Sequence, residues 1–252
     1  MERKIPTRLR NDPLVGVIFE VRFESSMPLS NILPGLLFNH LGTASLMKTP
    51  AAEVPESIRI SDPNFAYMPV VILDVKRYQV HIGDKVLQIQ LNMPYLGWNY
   101  FKPIIMDIYN QIAGYNLINA ITRFSLKYID IIEPNHRNSL DDMLNIKFLM
   151  GSNKITLDNS QFRTEIHNKE NAISAIFQLA GNAKAEFVDD SVRTREGFLI
   201  DIDCLKNVGQ KKPVSFEKDI DEDLEELHSL SKNYFFSFLT DIGIESLEPE
   251  YD

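Results

Sequence analysis

The clearest hydrophobic pattern in this chain is a strict alternation over residues 14–24, directly after the turn signal Asn11-Asp12-Pro13. β-branched and aromatic residues fall on one face of this run, and charged residues dominate the other. Alternation with period two in such residues predicts a half-buried β-strand. A second run of this kind, residues 121–132, begins about halfway along the chain. We therefore interpret the chain as two halves, each of which opens with a strand.

Apolar residues at three- and four-residue steps predict an early and a late helix in each half. These predicted helices cover residues 30–41, 98–113, 140–146 and 215–240. Shorter apolar or alternating runs between them predict four strands in each half. These strands cover residues 57–61, 67–76, 78–82 and 86–92, and then 162–168, 172–179, 184–188 and 197–204. Gly83-Asp84, between two of the strands, is typical of a two-residue hairpin turn.

The order of these elements predicts an α+β fold made of two similar lobes, each with the order β-α-β4-α. The lobes cover residues 1–116 and 117–252 and form one compact unit. Each lobe has a curved antiparallel sheet with a long helix packed on it, because this arrangement buries the apolar side of both elements. The order is similar to that of helix-grip domains and of the lobes of the TATA-binding protein. Such a likeness of folds implies no function.

The composition narrows the class of protein. The chain has 252 residues, 44% of them hydrophobic, and its formal net charge is -9. That charge disfavours nucleic acid as a partner, because neutralisation of phosphates supplies most of the affinity in such complexes. The chain has one cysteine, a charged N-terminal segment without an apolar stretch, and no apolar run long enough to span a bilayer. We expect a cytoplasmic protein without a disulfide or a membrane partner.

The sequence contains no recognised catalytic motif. The five histidines lack zinc-ligand spacing, and neither a Gly-x-Ser-x-Gly elbow nor a Gly-rich phosphate loop is present. We therefore assign no catalytic residue, metal or cofactor, and whether the protein is an enzyme stays open. Cys204 in a strand is expected to be a buried, inert thiol. Asp201 and Asp203 share a strand face, which we expect to be solvated, with a cation site or acid/base chemistry as the alternative.

Four residues are candidates for binding a ligand or a partner. Glu20 and Arg22 lie on one face of the first strand, which looks either into solvent or into a groove under a helix; buried charges there need partners. Tyr95 and Trp98 lie where a strand gives way to a helix. They are either packing anchors or a platform on which a ligand stacks.

Several segments together resemble a family of sporadically distributed, uncharacterised bacterial proteins of about this length. The resemblance covers nearly the whole chain and rests on the order of its segments. They are a PLVxVIFEVRF-type strand at residues 13–23, a YxGW-x-x-F segment at 95–101, RFSLKYID at 123–130, a strand at 199–203, and an LH...F...LT helix at 227–240. Gly16 stands where the family pattern has an acidic residue. The family implies no activity, substrate or site residue.

Three hypotheses for function follow. The first is a non-enzymatic binding or regulatory protein that acts through a protein partner or as a homodimer, in a mobile or defence-type locus. The second is a small-ligand-binding protein or enzyme with a pocket between sheet and helix. The third is a nucleic-acid binder, which requires eight cations on one face. These cations are Arg3, Lys4, Arg8, Arg10, Arg193, Arg195, Lys211 and Lys212.

Overall fold

A computed structural model describes residues 4–43, 45–134, 136–158, 160–168, 172–188 and 192–251, without the side chains of residues 188, 192, 193 and 217. Arg3 and the side chain of Arg193, both among the predicted cations, lie outside the described residues. The described strands are β1 (Arg8–Leu9), β2 (Leu14–Ser25), β3 (Ser45–Lys48), β4 (Pro69–Val75), β5 (Tyr78–Gly83), β6 (Val86–Leu91), β7 (Ile118–Ile132), β8 (Phe148–Met150), β9 (Asn153–Ile155), β10 (Gln161–Asn168), β11 (Ile173–Val188), β12 (Val192–Lys211) and β13 (Pro249–Glu250).

The helices connect these strands or follow them. They are α1 (Leu33–His40), α2 (Glu56–Ser61), α3 (Trp98–Gly114), α4 (Leu140–Met143), α5 (Pro213–Ser237) and α6 (Asp241–Ser246), with 3-10 turns at Leu29–Asn31 and Pro50–Glu53. In the part of the chain that the structure describes, none of these helices is long and apolar enough to cross a membrane.

The main sheet has nine strands in the order β10-β11-β12-β7-β2-β6-β5-β4-β3, and every neighbouring pair is antiparallel. The two strands predicted from the strongest alternation, β2 and β7, pair with each other near its centre, with Val17 opposite Tyr128 and Phe19 opposite Leu126. The predicted α+β class with an antiparallel sheet is confirmed. One sheet runs through both halves of the chain.

Helices α3 and α5 pack on one face of this sheet, which we call the inner face. The predicted apolar residues of β2 point to it, and all four are at most 1% exposed. Phe216 of α5 joins the layers, because its ring lies 5.1 Å from both Tyr109 of α3 and Phe124 of β7. The opposite side, the outer face, carries the alternate residues of β2, which are half-buried. The four inner residues of β2 are Val17, Phe19, Val21 and Phe23.

One predicted strand is wrong: residues 57–61 lie in helix α2. Ile58 and Ile60, at alternate positions of the predicted strand, are both exposed, by 45% and 54%. Arg59 between them is the buried residue, and its Nε donates to Oδ2 of Asp84 at 3.0 Å. The pattern misled because this short helix buries an ion pair rather than an apolar face.

The remaining differences concern boundaries. The predicted strands 172–179 and 184–188 form one strand, β11, with a register shift between Ala180 and Ala183 where it pairs with β12. The strand predicted over 197–204 is the middle of the much longer β12. The helix predicted over 140–146 ends at Met143, and the last long helix begins at Pro213, where proline is accepted in the first turn.

Candidate functional site

A cavity of about 760 Å³ lies between the inner face of the sheet and helix α5. We call it the inner cavity. The segments 6–12 and 94–98 form two of its sides, and Tyr128 and Asp130 of β7 form a third. Helix α5 closes the fourth side with residues between His228 and Phe236. Both chain halves therefore contribute to it.

The alternation of β7 places two polar side chains on this otherwise apolar face. Tyr128 pairs with Val17 of β2 and Ile202 of β12, and Asp130 pairs with Leu14 and Ile200. All of these neighbours are apolar, so the pairing offers neither polar group a partner within the sheet. Both side chains consequently depend on the cavity or on α5 for their interactions.

Trp98 joins the start of α3 to α5. Its ring is stacked on that of His228, with a centroid distance of 4.5 Å and an interplanar angle of 10°. Its Nε1 donates to the carboxylate of Glu225, which lies about one turn before His228 on α5, at 3.0 Å. Gly97 precedes it with a φ of 96°, a conformation that glycine adopts without steric cost. Trp98 is thus both a packing anchor and part of the cavity wall.

His228 forms a hydrogen bond with Tyr128, whose hydroxyl lies 2.8 Å from its Nδ1. Burial lowers the pKa of His228 to about 4, because the imidazolium form is poorly solvated there. Burial raises the pKa of Tyr128 well above its usual range. Both groups are therefore uncharged near neutral pH, and helix α5 presents a neutral imidazole to the cavity.

Asp130 is the most unusual group of the site. It is 5% exposed, lines the inner cavity, and its carboxyl makes no hydrogen bond with any residue that the structure describes. Burial raises the pKa of this carboxyl well above its usual range, and the nearby charge of Asp12 adds to the effect, while Arg195 opposes it. The surroundings of Asp130 therefore favour the protonated form of its carboxyl.

Two further polar groups stand beside Asp130. The Tyr95 hydroxyl is buried and makes no hydrogen bond of normal geometry with a described residue, and burial raises the pKa of Tyr95 to about 12. Its ring meets that of Tyr128 edge-on at 6.3 Å. Burial also raises the pKa of Asp12, although its Oδ1 accepts a hydrogen bond from the Leu14 amide at 3.1 Å. The cavity therefore contains polar groups that protein atoms leave unsatisfied.

The N-terminal segment closes one side of the cavity and is tied to the end of the described chain. Arg8 and Leu9 of β1 pair with Glu250 and Pro249 of β13. The Nε of Arg10 also donates to Oε1 of Glu250 at 2.6 Å. The positive charge of Arg10 is thus offset locally, and Arg8 remains exposed beside it.

The structure separates the four predicted binding residues. Tyr95 and Trp98 line the inner cavity, whereas Glu20 and Arg22 lie on the outer face. Glu20 is compensated there, because its Oε1 lies 2.7 Å from Arg22 Nε and 3.2 Å from an Arg123 nitrogen. Its Oε2 accepts a hydrogen bond from Gln88 at 2.8 Å.

Asp201 and Asp203 also lie on the outer face, and the prediction that they are solvated is wrong. They are 7% and 8% exposed. Lys127 lies 3.5 Å from Asp201 and 4.0 Å from Asp203, and Gln178 donates to Asp201 at 3.1 Å. Among the described residues, no group of three potential metal ligands is arranged to hold an ion.

The structure does not bring the remaining sequence candidates together into one site. Cys204 is fully buried as expected, and burial raises the pKa of its thiol to about 12, so the reactive thiolate is disfavoured. Arg195 and Lys211 of the cation set lie near opposite ends of β12.

Sequence analysis missed Asp12, Tyr128, Asp130 and His228. A signal for Asp130 was present, because it is an acidic residue on the face of β7 that otherwise carries apolar side chains and a tyrosine. No family model matches this chain, and a search of curated proteins finds no match either.

Proposed function

We propose that this chain is a small-molecule-binding protein and that its ligand occupies the inner cavity. This is the second of the three hypotheses drawn from the sequence. The observation that carries it is the buried, unpaired Asp130 carboxyl in a cavity walled by aromatic side chains. Pockets for small organic ligands combine such apolar walls with a few polar groups that fix orientation.

Size and energetics support the proposal. A cavity of about 760 Å³ lies within the range of known ligand sites. A buried polar group without a partner costs about 1–3 kcal/mol. The buried Tyr95 hydroxyl carries this cost, and the Asp130 carboxyl faces the cavity without a hydrogen-bond partner among the described residues. A ligand that satisfies them recovers part of it as binding free energy.

The test uses Trp98, which is the single tryptophan of the chain and lines the cavity. A library of organic acids, amines, nucleosides and sugars is titrated while tryptophan emission and melting temperature are recorded. We expect at least one compound to change both. Tyr95→Ala should weaken its binding by about tenfold, whereas Tyr67→Ala should leave it unchanged. Tyr67 is the matched control, since it packs over Arg22 on the outer face at 4.2 Å. The proposal is contradicted if both variants weaken binding equally, or if no compound in the library changes the tryptophan emission or the melting temperature.

A second candidate function is association with another copy of this chain, in line with the first sequence hypothesis of a binding or regulatory protein. Support comes from apolar side chains that are exposed on α1, on the edge strand β3 and on α2. They are Leu36, Phe38, Leu46, Met47, Ile58 and Ile60, each 37–54% exposed. Exposed apolar side chains next to an open sheet edge favour association. Sedimentation of the unmodified protein should detect a dimer, and Met47→Lys should dissociate it. A monomer at every protein concentration contradicts this function.

The two-lobed plan is a further part of the proposal. Outward from the centre, one half has the order β2-β6-β5-β4 and the other has β7-β12-β11-β10. In each half the opening strand therefore lies beside the last strand of its own half. We infer that lobes 1–116 and 117–252 repeat one plan similar to that of the TATA-binding protein. Membership of the uncharacterised bacterial family, a mobile or defence-type locus and a cytoplasmic location remain proposals as well.

A further inference from the structure

The geometry points to an organic ammonium ion as the class of ligand that the inner cavity takes, with its positive charge beside Asp130. This inference rests on the proposed function and specifies its ligand. It concerns the charge of the ligand, because the size and aromatic walls of the cavity do not by themselves determine that charge.

The charged groups around Asp130 favour a cation at this position. Asp12 is close enough to add its negative charge, and Arg195 from β12 is the cation that acts on both carboxyl groups. Arg195 also has Glu133 within 3.8 Å of its Nε. A ligand carboxylate here would meet two acidic groups, whereas an ammonium group would allow Asp130 to ionise as its counter-ion.

The other walls are compatible with a cation and attractive to it. The π-faces of tyrosine, tryptophan and phenylalanine attract ammonium groups, and such side chains surround organic cations in many binding sites. His228 stays neutral near pH 7, since burial lowers its pKa to about 4, so it does not repel the ligand. Arg10 is paired with Glu250. Arg8 is exposed on β1, and Lys232 lies on α5; these two cations favour a ligand whose other end is neutral or acidic. The aromatic wall residues are Tyr95, Trp98, Tyr128, Phe235 and Phe236.

The decisive experiment compares probes of equal shape and different charge on the unmodified protein. Choline is titrated against dimethylbutanol, the alcohol in which carbon replaces its nitrogen, and phenylethylamine is titrated against phenylethanol. Trp98 emission and calorimetry report binding. We expect at least one ammonium probe to bind about tenfold or more tightly than its neutral analogue. Because this comparison needs no variant, it does not depend on how a substitution folds.

Two matched variants locate the charge. Asp130→Asn should lower the affinity for the ammonium probe by about tenfold or more, because it removes the counter-ion. Asp203→Asn makes the same change in a buried aspartate on the outer face that is not among the charges acting on Asp130, and we expect no effect on binding. In the unmodified protein, Asp130 must lose its proton to pair with the probe. Affinity should therefore rise with pH, and at a pH below the folded pKa of Asp130 binding should release a proton.

The outcomes separate this inference from the proposed function. If neutral analogues bind as tightly as the amines, if benzoate binds more tightly than both amines, or if Asp130→Asn leaves amine affinity unchanged, the ammonium assignment is overturned. In the first two cases a small molecule still binds, and the proposed function stands. In the third case the Tyr95→Ala comparison decides it, because weakened amine binding there still places the ligand in the cavity. If neither these probes nor the compound library changes Trp98 emission or melting temperature, both fail together.

Discussion

Strand β7 presents two contrasting environments within four residues. Lys127 points to the outer face, where Asp201 lies 3.5 Å away. Tyr128 and Asp130 point to the inner face, where Asp130 has no hydrogen-bonding partner among the described residues. Glu20 extends the outer network through Arg22, Arg123 and Gln88. The outer face of the sheet thus gives its acids at least one cationic neighbour, although one oxygen each of Asp201 and Asp203 has no hydrogen-bond partner among the described residues. On the inner face, β7 carries an acid that has no ion-pair partner among the described residues.

This difference teaches how to separate structural charges from functional ones. Charged groups that find partners within the protein hold strands in register and require nothing further. A buried acid without a partner costs stability, and such a cost is common at binding and catalytic sites. The sequence criterion of a charged strand face selects Glu20 and Arg22. The physical criterion, a buried acid that lines a cavity and has no ion-pair partner among the described residues, selects Asp130.

The largest expected effect concerns the buried imidazole on the inner face. The folded pKa of His228 is about 4 and its ordinary value is 6.5. The unfolded chain therefore takes up a proton first as the pH falls from 6.5 to 4, and the folded protein loses about 3 kcal/mol of stability from this group. His228→Phe keeps a ring against Trp98 and should remove this loss. The measurement is urea denaturation between pH 4 and 7. A difference between variant and parent that is constant over this range contradicts the prediction.

A smaller effect is expected when the outer network loses its acid. Glu20→Ala leaves two guanidinium groups without their carboxylate, and we expect a loss of about 2 kcal/mol in the free energy of unfolding. Glu24→Ala is the control, because Glu24 forms an ion pair with Lys85 at 2.7 Å and its side chain is 37% exposed. Its loss should stay below about 1 kcal/mol. Affinity for a cavity ligand should be unchanged in both variants, and a loss of affinity in Glu20→Ala breaks the distinction between the faces.

The third expected effect has the opposite sign and concerns Asp130. Because burial raises the pKa of Asp130, the folded state holds its proton more tightly than the unfolded chain does. As the pH rises above 3.8, the pKa of this carboxyl in the unfolded chain, the unfolded chain loses the proton before the folded protein does. The fold is therefore destabilised progressively, until the pH passes the higher folded pKa. Asp130→Asn should be as stable as the parent at acidic pH and more stable as the pH rises. Thermal unfolding at several pH values checks this, and a stability deficit that grows with pH contradicts it.

Local patterns in the sequence were sufficient for the framework of the fold. The alternation in β2 and β7, the apolar stripe of α5 and the position of Trp98 before α3 all follow from residues close in sequence. The pairing of those strands and the environment of Asp130 do not, because they depend on register between distant segments. The same is true of Asp201 and Asp203, which are buried. Helix α2 was predicted as a strand, and its isoleucine pattern could not identify it as a helix, because it buries Arg59 rather than its isoleucines.

The pairing of β1 with β13 brings residues 8–9 and 249–250 together beside the cavity. A short peptide linker between residue 251 and residue 4 would therefore allow circular permutation of residues 4–251, with the chain opened in the exposed loop at residues 151–152. In such a permuted protein the wall formed by residues 6–12 is covalently continuous with the tail. Any change in ligand exchange rate would then measure how far the pairing of β1 with β13 governs access to the cavity.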